Sequence, residues 1–301
     1  MDRRVRVHIL TSILSFAALL VGSSSECWAQ KTLVWKLPKG RQIEVMVEQD
    51  TDMKLEGSPT LAVKETHASQ LTTVTWKVLD VSADGIASVE QAIARIVLDM
   101  QSQAGNFVID TADTKPLQGL AETIARGIRP LAGARYVVKT KPNGEVVDVT
   151  IPEDVSKKMN EGTAGLGEAG LREIAVNGSL QFPAKSIGVG ETWTTKYEMD
   201  MRVFGKLVVV TNYQYLGEEV VGGVKLDKIK ATTATKAADP DDKSGLKLAK
   251  QESTGTIWFD NTKGCIDHSE FQQEMAMDVM QAGAQIKQVV TQKLKLTFQS
   301  R

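Results

Sequence analysis

The sequence predicts an α+β fold rich in strand: a long, curved antiparallel sheet packed around a few helices, built as two duplicated halves. Three observations carry this expectation. Runs with a two-residue period, apolar on one face and Thr or Lys on the other, recur along the chain, as in strands with one buried and one wet face. Turn pairs fall between the runs at Asp84-Gly85, Asn143-Gly144, Gly222-Gly223 and Lys263-Gly264. Helical periodicity is concentrated between residues 117 and 176.

Residues 1–29 read as a removable secretory signal. Arg3, Arg4 and Arg6 make a basic start, residues 9–21 are mostly apolar, and Cys27 and Ala29 are the small residues before a cleavage at Gln30. The apolar run is shorter than the ~20 residues of a membrane span. Ser24-Ser25-Glu26 does not match the small and apolar residues that would retain Cys27 as a lipid anchor. Residues 30–301 then form a single β-rich domain, with halves at 30–151 and 181–301 joined by a helical segment.

The first clear strand is 72–81, with Val74, Trp76 and Val78 on one face and Thr73, Thr75 and Lys77 on the other. Residues 86–100 fit either period; the Asp84-Gly85 turn feeding into them favours a strand. Leu117, Leu120, Ala121, Ile124 and Ile128 form a helical stripe that Pro130 ends. Residues 135–140 and 145–150 flank Asn143-Gly144 as a hairpin, and short helices follow at 152–159 and 171–176. In the second half, 206–215 is rich in β-branched and aromatic residues. Lys263-Gly264 leads into a strand through Phe271, and Leu294, Leu296 and Phe298 alternate with Lys293, Lys295 and Thr297. Residues 238–245, with Asp239-Pro240-Asp241-Asp242, read as a loop.

Composition bounds the function. Of 36 Lys and Arg, three leave with the signal; of 37 Asp and Glu, two leave, so the mature chain carries a net charge of −2. A near-neutral chain with interspersed signs offers no footprint for nucleic acid and no basic stripe for an anionic membrane surface. Cys265 becomes the only thiol, which rules out an internal disulfide and leaves a small apolar residue at a strand start, an intermolecular bridge or a redox-active thiol.

The chemistry-bearing patterns are few. Gly165-Leu166-Gly167-Glu168-Ala169-Gly170 matches the dinucleotide fingerprint in letters, but polar, helical residues precede it where a buried strand is required. Asp239 and Asp241 have calcium-loop spacing, yet Ser244 and Lys250 stand where the turn Gly and bidentate Glu belong. His67 and His268 lack metal-ligand spacing, and no cofactor or metal is expected. Phe271, Met275, Met277 and Met280 form an unusual apolar cluster of adaptable side chains.

Several segments together resemble a family of secreted bacterial proteins classed as a domain of unknown function. They are Leu33-Val34-Trp35-Lys36-Leu37 with Gly40, residues 72–85, Ala94-Arg95-Ile96, Ile109-Asp110-Thr111 and Gly144 in its hairpin. Phe182-Pro183, Val189-Gly190-Glu191-Thr192-Trp193 and residues 255–260 complete the set. The resemblance implies no catalytic residues. The resulting expectation is an exported, non-enzymatic binding protein of the cell envelope, periplasmic or extracellular. It holds an apolar small molecule or a lipidated envelope partner, with Phe271, Met275 and Met277 as ligand-binding residues. A structural or assembly component acting through protein contacts is the alternative. A hydrolase working with dispersed carboxylates is the third reading. No nucleic-acid partner and no integral membrane segment are expected.

Overall fold

Amphipathic strands of this length can bury their apolar faces only by sharing one, and the chain does so in a single large sheet. The computed structural model describes residues 30–56, 64–161, 168–201, 205–237, 246–281 and 284–301. Residues 1–29, where a secretory signal is expected, residues 238–245, where a loop is expected, and the first glycines of the dinucleotide-like motif lie outside the described residues.

The first half contains β1 (Gln42–Glu56), β2 (Glu65–Val81), β3 (Ala87–Ser102) and β4 (Gly105–Asp110). Helix α1 (Gly119–Ile128) and a 3-10 turn at Arg129–Leu131 lead to β5 (Arg135–Thr140) and β6 (Val146–Thr150). Helices α2 (Glu153–Glu161) and α3 (Glu168–Asn177) follow. The second half runs β7 (Thr192–Met201), β8 (Gly205–Val221), β9 (Val224–Ala237), β10 (Leu246–Asp260), β11 (Cys265–Gln281) and β12 (Ala284–Ser300). All pairings are antiparallel, in the order β6-β5-β3-β2-β1-β12-β11-β10-β9-β8-β7, with β4 beside β3. The sheet is open, with edges at β6 and β7, and its two halves meet where β1 pairs with β12.

The ambiguous segments resolve as strands β3 and β11. Bulges at Val74, Tyr215 and Trp258 break the register and add twist, which bends so wide a sheet around its own inner face. Two expectations are corrected. The helices do not all lie between the halves, because α1 sits inside the first half, between β4 and β5. The helices are also not what the sheet wraps. The largest core joins Leu33, Trp35 and Leu37 of the N-terminal segment, Leu180, Phe182 and Ile187 of the α3–β7 connection, and the inward side chains of both halves, including Ile43, Val89, Ile229 and Phe259. The helices pack at the flank, where Val155 and Leu171 join Tyr136, Val138 and Val149, and where Ala125 meets Leu98 and Ile109.

Backbone and charge hold the N-terminal segment down. Trp35 N donates to Pro142 O at 2.8 Å and Lys36 N to Gly264 O at 2.9 Å. Lys31 Nζ lies 2.8 Å from Asp227, a carboxylate only 1% exposed that also accepts the Tyr215 hydroxyl at 2.7 Å. Hydrogen bonds to Asp227 and Glu218 outweigh the effect of burial and raise the Lys31 pKa, so the ion pair persists in its buried place. Among the described residues, no helix is long and apolar enough to cross a membrane.

Candidate ligand cavity

The alternation of each strand fixes which side chains turn inward, and the register lines them up into rows. Deep in the fold the rows are apolar. Val45 of β1 lies opposite Val74 and Phe298, and Val47 opposite Leu296. Aromatic contacts stiffen this floor: Trp76 meets Phe298 edge-on at 5.6 Å, Trp35 meets Phe259 at 5.6 Å, and Trp193 stacks on Tyr213 at 5.1 Å.

Between the sheet and the chain that follows α3 is a cavity of about 420 Å³. That volume falls within the size range of small-molecule sites. Its lining draws on both halves: Val47, Val74 and Trp76, Tyr136 and Val138, then Tyr213, Ile257, Phe271, Leu294 and Phe298. Ala175, Gly178, Ser179 and Leu180 cover it. Two indoles pin this cover, Trp35 Nε1 donating to Leu180 O at 3.0 Å and Trp193 Nε1 to Gln181 O at 2.8 Å. Burial pushes the Tyr136 phenol up to about 12 and raises that of Tyr213, the latter despite hydrogen bonds to Thr195 and Thr211.

One row is different. Thr51, Gln292, Gln273, Ser253, Thr233, Thr211 and Thr195 are successive cross-strand partners from β1 to β7, all polar and all uncharged. Gln292 Nε2 donates to Thr51 Oγ1 at 3.3 Å, and the Thr211 and Thr233 hydroxyls are 2.9 Å apart. Five of the row, Gln292, Gln273, Ser253, Thr233 and Thr211, line the cavity. None of the described residues lining the cavity is Asp, Glu, Lys, Arg or His. On the outer face of the same strands Glu48, Lys295 and Glu270 are paired across β1, β12 and β11.

Of the three expected ligand-binding residues, Phe271 lines the cavity, its ring lying over the bare Gly255 of β10. Met275 and Met277 share its face of β11 but lie beyond Gln273, outside the lining; Met277 is buried at 4% exposure. The polar row was missed because each member sits alone in its own strand. Gln273, at inward parity between Phe271 and Met275, was the one local signal.

The remaining candidates fall elsewhere. Cys265 is 5% exposed, and burial raises its thiol pKa in spite of Arg41 at 3.0 Å, which keeps it protonated and out of reach of a partner thiol. His268 stacks on Trp258 at 4.3 Å and contacts Asp267 at 2.8 Å. The β1–β2 register brings Asp52 within 2.9 Å of His67 Nδ1, with Ser69 Oγ 3.3 Å from Nε2. The Ser69 proton goes instead to Asp50, at 2.6 Å, so His67 is not placed as its base. Among the described residues, no group of three His, Cys, Asp or Glu is arranged to hold a metal.

No protein-family model matches the chain, and no curated protein sequence does either. Solved structures do resemble it. Lipovitellin, from a structure describing its lipid–protein interactions, shares 13% identity at a TM-score of 0.51, over 88% of this chain and 25% of its own. A hypothetical lipoprotein of Escherichia coli (10% identity, TM-score 0.24, 83% of this chain and 86% of its own) is more distant. So is an outer membrane channel of Pseudomonas putida (10% identity, TM-score 0.23, 88% and 97%). The chain thus spans about a quarter of the lipovitellin chain it matches, and what the likeness shows is a shared fold.

Proposed function

We propose that this protein binds an apolar small molecule in the cavity on the inner face of its sheet. The observation that carries this reading is the lining itself, mostly aromatic and aliphatic and, among the described residues, without a charged side chain, beneath a pinned cover. Such a site gains from desolvating hydrocarbon. The fold shared with lipovitellin, described by its lipid–protein interactions, supports the same reading. The signal-like pattern of residues 1–29 supports a second part of the proposal, that the protein is exported, is cleaved before Gln30 and acts in the cell envelope.

Native mass spectrometry of the protein purified from its own host tests the proposal. A ligand adduct removed by organic extraction, together with saturable uptake of an uncharged hydrophobic dye, is expected. A clean unliganded mass with no dye uptake overturns it. The N-terminus of the exported form tests the location, since a protein retained with residues 1–29 intact and inside the cell refutes export.

A further inference from the structure

Resting on the reading of the cavity as an apolar-ligand site, we infer that its guest is a single-chain amphiphile with an uncharged, hydrogen-bonding head group, such as a monoacylglycerol. An anionic lipid is the wrong chemistry for this site. The chain lies on the floor among Val47, Val74, Trp76, Leu296 and Phe298, and the head group sits at Gln273 and Ser253.

The polar row carries this inference. An inner face meant only for hydrocarbon would continue the apolar parity of Leu294 and Phe271 into the next positions, but these are Gln292 and Gln273. The neighbours across the strands, Ser253, Thr233 and Thr211, are polar as well. Part of the row is internally satisfied, through Gln292 with Thr51 and Thr211 with Thr233. Gln273 and Ser253 make no side-chain hydrogen bond to the described protein, and both line the cavity. Ser269, four residues from Gln273 on the same face of β11 and 2% exposed, adds another such hydroxyl. A carboxamide both donates and accepts, as does a hydroxyl, so these groups match alcohols, esters and amides.

Charge excludes the alternative. A carboxylate or phosphate brought to this row would give up water without gaining a cation, because among the described residues no Lys, Arg or His lines the cavity. An unpaired buried ion costs several kcal/mol, enough to offset much of what a buried acyl chain contributes.

Isothermal titration of the whole mature protein at pH 8 with monolauroylglycerol, ionised laurate and lauryl phosphate tests the inference. Displacement of an uncharged hydrophobic dye is read in parallel. Monolauroylglycerol should bind at least about tenfold more tightly than either anion, the equivalent of one or two neutral hydrogen bonds. Combined Gln273→Leu and Ser253→Ala should weaken monolauroylglycerol about tenfold or more and leave dye uptake in place. Gln273→Arg should turn the preference toward laurate. Anions binding as tightly as the neutral lipid to the unaltered protein overturn the head-group inference, and so does a folded double variant with undiminished affinity. Binding of the dye in those cases leaves the apolar-ligand reading standing. Failure to bind the dye and every lipid overturns that reading itself.

Discussion

Tyr136 stands in the wall of the cavity, 5% exposed, and donates its hydroxyl to Gln91 Oε1 at 2.9 Å. Its phenol is pushed up to about 12 by burial, so the folded protein holds the proton that the unfolded chain gives up near pH 10. The stability linked to this proton is fully present below pH 10 and is lost as the pH rises toward 12. At pH 12 the loss amounts to roughly 2 kcal/mol. Tyr136→Phe removes this titration. Urea unfolding of the variant should show about 1 kcal/mol less stability at pH 7, from the hydrogen bond to Gln91. The gap should close or reverse between pH 10 and 12. Parallel pH profiles for the two proteins would refute the assignment.

At the scale of elements, the β5–β6 turn governs how the cover meets the sheet. Gly144 has φ +88°, and a Cβ there would lie 2.0 Å from Leu180 O and 2.7 Å from Trp35 Nε1, the two atoms whose hydrogen bond closes the cavity. Gly144→Ala therefore meets both backbone strain and a clash, and it should cost more than about 2 kcal/mol in denaturant unfolding. Exposure of Trp35, read by fluorescence quenching, should rise with it. This turn was legible in the sequence as Asn143-Gly144, because turn chemistry is local. The inward faces of β2 and β12 were legible for the same reason, with Val74, Trp76, Leu294 and Phe298 now found in the lining. The row from Thr51 to Thr195 was not. Its members are isolated polar residues until the register of seven strands brings them side by side, and register depends on distant pairings that no window of sequence contains. Asp227 escaped notice likewise, since its partner Lys31 is nearly two hundred residues away.

The whole molecule depends on a pairing between segments far apart in the chain. β1 and β12 run against each other from Ile43 opposite Ser300 to Glu56 opposite Lys287, and this ladder is the seam between the halves. Contacts so distant in sequence make folding slow, on the order of milliseconds to seconds among proteins dominated by long-range pairing. Removing residues 284–301 should abolish amide protection in β1 and β2 as well as in β11, by hydrogen exchange, although β1 and β2 are intact in sequence. Protection confined to β1–β3 in the truncated chain would show that the first half stands alone. The order of synthesis adds a consequence for the cell. β12 leaves the ribosome after every other strand of the sheet, yet its place is in the middle. Until it arrives, β1 and β11 each present a bare hydrogen-bonding edge about fifteen residues long beside an uncovered apolar face, the condition under which chains pair with the wrong neighbour. A holdase that covers the β1 edge from its synthesis until β12 is made would suppress such mispairing, and the yield should rise with the supply of that chaperone.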